Sequence, residues 1–341
     1  MTMKKKIFYG VSLSLLIVGG FIAWKIFGPG LNPPPGKYFY IKTGSSYNEV
    51  RTSLLDLHIM SSATFFDLVA KQTKYSRSVK AGRYEIKAGM SVYGLVRMLR
   101  SGRQTPVNLV ITKLRTVNDL AAKIAANFEC DSTTLMYLFS NSDSLLKFGL
   151  NTNTVMTAVI PNTYSIPWNS SPAKIFRKLC LEKEKFWNKE RRNKALDLKL
   201  TPEEVFTLAS IVDEETNKEE DKGKVASVYI NRLNSGQRLD ADPTVKFALK
   251  NFALKRIRRS AIDACAGSPY NTYYAKGLPP GPICTPSPKT IDAVLNAPVT
   301  DYLYFVARPD WSGLSNFTSS YAEHQLNARN YQHFLDSINI R

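Results

Sequence analysis

Thr201-Pro202-Glu203-Glu204-Val205-Phe206-Thr207-Leu208-Ala209-Ser210-Ile211-Val212-Asp213-Glu214-Glu215-Thr216 reads as a well-signalled helix that ends in three adjacent carboxylates. Thr201 can N-cap, Pro202 suits the first helical position, and Glu204 sits where a capping-box carboxylate reaches back to the cap amide. Counted in steps of three and four, Val205, Leu208, Val212 and Glu215 share one face, so the apolar stripe runs into Glu215. Asp213 and Glu214 rotate off that stripe and are expected to be its solvated neighbours. A carboxyl at the end of a buried stripe is desolvated, which favours its neutral form and raises its pKa toward about 6. That is what a general acid needs. The plainer reading is a frayed, solvated acidic helix end, and this stretch alone does not exclude it.

Working outward, residues 221–234 form a second helix that presents Val225, Ala226, Val228, Tyr229, Ile230 and Leu233 and stops at Ser235-Gly236. The two helices make a hairpin with Glu215 near its bend. Asp240-Ala241-Asp242-Pro243-Thr244-Val245 starts another helix, with Asp242 as N-cap and Pro243 at its first position. Its two aspartates are candidate ligands or substrate contacts, although capping already accounts for Asp242. Tyr270-Asn271-Thr272-Tyr273 precedes Gly277-Leu278-Pro279-Pro280-Gly281-Pro282-Ile283, a stiff loop that cannot enter a sheet interior. This pairing suits the wall of a sugar-binding groove, and equally a structural turn. A helix over 287–296, a strand over 302–307 and a terminal helix over 319–338 complete that side. Upstream, 117–128 and 132–141 read as helices, Pro161 to Tyr164 as a turn, and 171–196 as one long basic packing helix.

At the other end, Lys4-Lys5-Lys6 precedes an uncharged run over 7–24, followed by Lys25-Ile26-Phe27. About 18 to 21 residues is enough to cross a bilayer core. A signal peptide would have a shorter apolar run and an A-x-A-like cleavage site, so a retained anchor is expected. The positive-inside bias predicts a single-pass protein of the cytoplasmic membrane, its N-terminus in the cytoplasm and its body in the periplasm or outside the cell. Residues 28–36 form a semi-rigid Pro/Gly linker. Residues 37–113 then read as strand, helix, helix, strand, helix, strand, a small recognition module.

A formal net charge of +18 calls for an anionic neighbourhood. Export argues against nucleic acid and leaves anionic headgroups or an anionic wall polymer. From Lys71 to Arg115 there are eleven Lys or Arg against the single acid Glu85, so one module carries much of the excess. A solvated basic face is the simplest account of it. Cys130, Cys180, Cys265 and Cys284 form no CxxC pair, and a Cys265 to Cys284 disulfide is open in an oxidising compartment. Three histidines in no ligand-like spacing offer no metal site, and no cofactor motif is present.

Several ordered motifs then resemble one family closely. They are Leu208-Ala209-Ser210-Ile211-Val212 with Glu215-Thr216, Val225 through Leu233, Asp242-Pro243-Thr244-Val245, Tyr270 through Tyr273, Gly277 through Ile283, Tyr302 through Val306, and Phe317 through His324. Together they resemble the membrane-anchored endolytic murein transglycosylases, the MltG/YceG-like proteins of bacteria. The resemblance implies an α+β chain: a transmembrane helix (7–27) behind a cytoplasmic tail (1–6), a small LysM-like α/β glycan-binding module (37–113), and a mainly helical lysozyme-like catalytic domain with a few strands (114–341). It implies that Glu215, the Glu of the family's Glu-Thr or Glu-Ser pair, is the catalytic acid. Asp242, Thr244, Tyr270, Asn271 and Tyr273 are the expected substrate-binding residues. Asp240 departs from the pattern, in which an amide is expected.

The implied reaction cuts the β-1,4 bond between N-acetylmuramic acid and N-acetylglucosamine inside nascent peptidoglycan strands without water, leaving 1,6-anhydro ends and terminating elongation. Its implied neighbours are glycan strands, the cytoplasmic membrane and penicillin-binding synthases, with no nucleic acid. The competing reading is a non-enzymatic peptidoglycan-binding membrane anchor in which Glu215 is a satisfied buried carboxyl.

Overall fold

The computed structural model describes residues 3–337. Its chain divides into two compact units: Met1–Asn108 with Asn127–Asp131 and Ser165–Ser171, and Leu109–Ala126 with Ser132–Tyr164 and Pro172–Arg341. The architecture is mixed helix and sheet, mostly helical, with short two-stranded sheets.

The first unit opens with α1 (Met3–Phe27), 25 residues with no buried side chain. At about 1.5 Å per residue it is longer than the ~30 Å hydrocarbon core of a bilayer. β1 (Tyr38–Ile41) is followed by α2 (Tyr47–Asp56), whose Ser46–Glu49 capping box is formed, and by α3 (Thr64–Gln72). β2 (Gly82–Glu85) pairs antiparallel with β1, setting Tyr38 opposite Glu85 and Ile41 opposite Gly82. α4 (Val92–Ser101) starts at the Ser91 cap and stops at Gly102, whose φ of 72° is the left-handed conformation glycine adopts freely. β3 (Val107–Ile111) follows. Phe39, Leu54, Phe66, Tyr75, Tyr84 and Leu95 are fully buried in this unit's core.

α5 (Val117–Ala125), α6 (Ser132–Ser140) and α7 (Ser142–Leu146) come next. Where a turn is expected at Pro161 to Tyr164, the chain forms β4 (Asn162–Ile166), which pairs with β3. The single helix expected over 171–196 is two, α8 (Pro172–Phe186) and α9 (Lys189–Asp197). The break has a local cause: Trp187 turns into the core, and the Asn188 side chain caps α9 by accepting from the Arg191 amide.

α10 (Pro202–Glu215) is the central element of the second unit. Its Thr201–Glu204 capping box forms as the sequence predicts. Nine consecutive residues, Val205 to Asp213, are buried, so the helix is enclosed on every side rather than along one stripe. α9, α11 (Glu219–Asn234), α12 (Asp242–Ala248) and, beyond α13 (Arg259–Ala264), α14 (Pro288–Leu295) pack around it. The Gly277–Ile283 loop also lies against it: the Ile283 amide donates to Ser210 Oγ at 3.0 Å. Gly281 is required there, because a Cβ would stand 2.0 Å from the Asn153 carbonyl oxygen. β5 (Tyr304–Ala307) and β6 (Ser315–Thr318) form an antiparallel hairpin that carries α15 (Tyr321–Ser337). The last residue of the expected terminal helix, 338, lies outside the described residues.

The disulfide left open by the sequence is not formed. All four cysteines are free: Cys265 Sγ meets the Asn271 amide group and Cys284 Sγ the Ser210 carbonyl.

Candidate active site

Successive residues on a helix point about 100° apart, so the three carboxylates that end α10 meet three different surroundings. Asp213 points between α11 and α14. It pairs with Lys113 at 2.8 Å and Lys222 at 3.5 Å and accepts a hydrogen bond from Thr290. Burial pushes its carboxyl up, but Lys113, Thr290 and Lys222 outweigh that and hold it below the usual aspartate range. Glu214 pairs with Arg115 at 3.0 Å and Lys113 at 3.1 Å. The expectation that these two are solvated neighbours is therefore corrected: their side chains are only 7% and 15% exposed. The cause is the enclosure of α10. A residue that leaves one apolar stripe meets another packed element, not water.

Glu215 forms no ion pair with any described residue. It lines a cavity of about 360 Å³ together with Tyr229 and Arg232 of α11, Asp240 and Asp242 before and at the start of α12, and Tyr273. Leu303, Tyr304 and Phe305 at β5, with Tyr321 and His324 of α15, close the other side. The Tyr229 hydroxyl donates to Glu215 Oε1 at 2.6 Å, and that tyrosine is only 2% exposed. Desolvation raises the Glu215 pKa to about 7; the Tyr229 hydrogen bond opposes the rise, and the negative charge of Asp242 adds to it. Asp242 in turn accepts from the Tyr273 hydroxyl at 2.7 Å.

The rest of the rim is polar and held. Arg232 donates to Asp240, to the Arg238 carbonyl at 2.7 Å and to the Leu303 carbonyl at 3.2 Å, which ties α11 to the approach to β5. Asp240 has a φ of 51°, a conformation in which Asp and Asn are enriched. Burial pushes its carboxyl up, partly opposed by Arg232. His324 is held below the ordinary histidine range by burial and by Arg232, and its buried Nδ1 has no hydrogen-bond partner among the described residues.

Of the residues singled out from sequence, the cavity brings together Glu215, Asp240, Asp242 and Tyr273. Thr244 and Asn271 are fully buried and spend their hydrogen bonds inside the fold. Thr244 bonds the Ala241 carbonyl and Thr272, and Asn271 bonds the Ile262 and Cys265 carbonyls. Tyr270 packs its ring against Phe247, tilted, with centroids 4.7 Å apart, and does not line the cavity, nor does the proline-rich loop. Residues at β5 and α15 line the cavity instead. Capping does not occupy Asp242: α12 has Ala241 at its N-cap position with no side-chain cap bond, which leaves the Asp242 carboxylate for Tyr273 and the cavity. Tyr229, Arg232 and His324 belong to the quoted motifs but were read as packing or left without a role. The signal that could have found Tyr229 is its spacing, because two antiparallel helices joined at a short bend place it beside Glu215.

Comparison with known proteins follows the same outline. The YceG-like family model matches residues 39–330. An endolytic murein transglycosylase of Bacillus subtilis is 27% identical over 332 residues, covering 91% of this chain and 89% of that protein. One from Streptococcus pneumoniae is 28% identical over 331 residues and covers 87% of this chain, which spans only 60% of that longer relative. A crystal structure of a YceG-like protein from Listeria monocytogenes superimposes with a TM-score of 0.56 at 25% identity, covering 85% of this chain and 99% of that one.

Proposed function

Because the chain belongs to the YceG-like family, we propose that it is a membrane-anchored endolytic transglycosylase that cleaves the β-1,4 bond between N-acetylmuramic acid and N-acetylglucosamine within nascent peptidoglycan strands. The observation that carries this reading is Glu215: a carboxyl with a pKa of about 7, lining a polar cavity, steadied by Tyr229 and in no ion pair with any described residue. Such a group is protonated in a large fraction of molecules at neutral pH and can both give and take a proton.

In the proposed reaction Glu215 protonates the glycosidic oxygen as the bond to C1 breaks. Positive charge develops at C1, which the Asp242 carboxylate in the cavity wall, oriented by Tyr273, would offset. The C6 hydroxyl of the same muramoyl residue then attacks C1 and returns its proton to Glu215, giving a 1,6-anhydro end. The nucleophile is intramolecular, so proximity supplies part of the rate and no second catalytic base is needed. The sugars would lie against Tyr304, Tyr321 and His324, with Arg232 beside the Tyr304 ring and Asp240 held by Arg232. Thr244, Asn271 and Tyr270 serve this site from behind, by holding the start of α12 and the Tyr273 segment. Residues 37–113 are proposed as the LysM-like glycan-binding module, and synthases that build the strand as neighbours in the membrane.

The test is a mass spectrum of products from purified glycan strands. The parent protein is expected to release anhydro-ended fragments and Glu215→Gln none, with unchanged folding. Loss of activity in Asp213→Asn with retention in Glu215→Gln would overturn the assignment. Reducing ends instead of anhydro ends would make Asp242 the base of a hydrolase, and binding without any turnover would leave a wall anchor.

A further inference from the structure

A second cavity, about 540 Å³, lies wholly within the first unit. One wall is the outer face of α4. Val92, Leu95, Val96 and Leu99 are buried in the core, which turns Tyr93, Arg97 and Arg100, spaced at four and three residues, outward along a single line. The other wall is the segment after α3, which contributes Lys74, Ser78 and Lys80. No carboxylate lines the cleft. Among the described residues the Lys80 ammonium has one acceptor, the Ser101 carbonyl at 3.5 Å. Four cations facing one recess repel each other while it is empty, and an anion relieves that repulsion. Arginine forks and serine hydroxyls are the donor set that fits phosphate oxygens.

The position of the cleft narrows the source of the phosphate. Tyr93, part of the lining, packs its ring 5.1 Å from that of Phe27, the last residue of α1. The cleft is therefore one aromatic contact from the end of the helix read as the membrane span, and tyrosine is a residue that settles at the membrane–water interface. We propose that this cleft binds the phosphate headgroup of an anionic phospholipid, holding the first unit against the bilayer surface. The proposal rests on α1 spanning the membrane and is independent of the transglycosylase reaction.

The test uses the full chain in a zwitterionic detergent. Native mass spectrometry with added phosphatidylglycerol is expected to show retained lipid, with phosphatidylcholine retained far less. In Arg97→Gln/Arg100→Gln, and separately in Lys74→Gln/Lys80→Gln, the phosphatidylglycerol affinity is expected to fall about tenfold or more. Equal retention of the two lipids, or no change in either variant, would overturn the proposal. So would displacement of phosphatidylglycerol by millimolar inorganic phosphate or by soluble polyglycerol phosphate, which would assign the cleft to a free anion or a wall polymer. Alkaline carbonate extraction of membranes keeps the two readings apart. A chain that stays in the membrane but shows no lipid preference sinks this site alone, whereas a chain that washes off sinks the anchor.

Discussion

Glu215 reaches a pKa of about 7 because burial is opposed only by one tyrosine hydroxyl and by Lys246, while the charge on Asp242 pushes the same way as burial. The sign of its effect on stability follows. The native pKa lies above the unfolded value of 4.5, so folding favours the protonated form. Below about pH 4.5 the residue costs nothing; the penalty grows as pH rises and reaches about 3 kcal/mol above pH 7. Glu215→Gln is thus expected to be more stable than the parent at pH 8 and close to it at pH 4, read from denaturant midpoints across that range. Parallel curves would mean that the carboxyl is solvated. Activity runs the other way: a general acid must carry its proton, so kcat/KM is expected to fall as pH rises through about 7. Tyr229→Phe removes the hydrogen bond that lowers this pKa, which should move the alkaline limb to higher pH while kcat drops. A limb that stays in place would show that Tyr229 only packs.

At the level of elements, α10 was legible at its start and misread along its sides. Thr201, Pro202 and Glu204 encode the helix start through local backbone chemistry, and the cap formed as written. What covers Asp213 and Glu214 comes from Lys113 and Arg115, about 100 residues earlier, and from Thr290, 77 later, and no periodicity within α10 contains that. The same distinction explains the other departures. Asn188 ended a helix by capping the next one, Asp242 gave up a cap for a tyrosine 31 residues away, and the β3–β4 pairing recruited a segment that read locally as a turn. Glu215 was legible as a desolvated carboxyl because a local stripe led to it. β5 and α15 were read as elements too, but their place at the Glu215 cavity was not, because it depends on contacts such as Arg232 to the Leu303 carbonyl, 71 residues apart. Lys222 is only 6% exposed and shares Asp213 with Lys113, so Asp213→Ala leaves one buried cation short of a carboxylate. The expected cost is about 3 kcal/mol, seen as a lower denaturation midpoint, with no shift in the pH profile of activity. A shift of that profile would instead couple Asp213 to Glu215 directly.

Across the whole molecule, charge is sorted by task. Of the eleven basic residues between Lys71 and Arg115, nine fall in the first unit, while Lys113 and Arg115 belong to the second and pair with Asp213 and Glu214. The basic residues of that stretch left outside the Asp213 and Glu214 pairs therefore sit on the unit that carries α1. α1 has 25 residues, none of them buried, with three lysines at its start and one near its end. That asymmetry predicts the N-terminus in the cytoplasm and both compact units on the far side of the membrane. A C-terminal alkaline phosphatase fusion is expected to be active and a C-terminal fluorescent-protein fusion dark, with the chain resistant to carbonate extraction. The opposite pattern would place the Glu215 cavity in the cytoplasm, away from any glycan strand. A carboxyl tuned to pH 7 would then need a different substrate, and the anchor and transglycosylase readings would fall together.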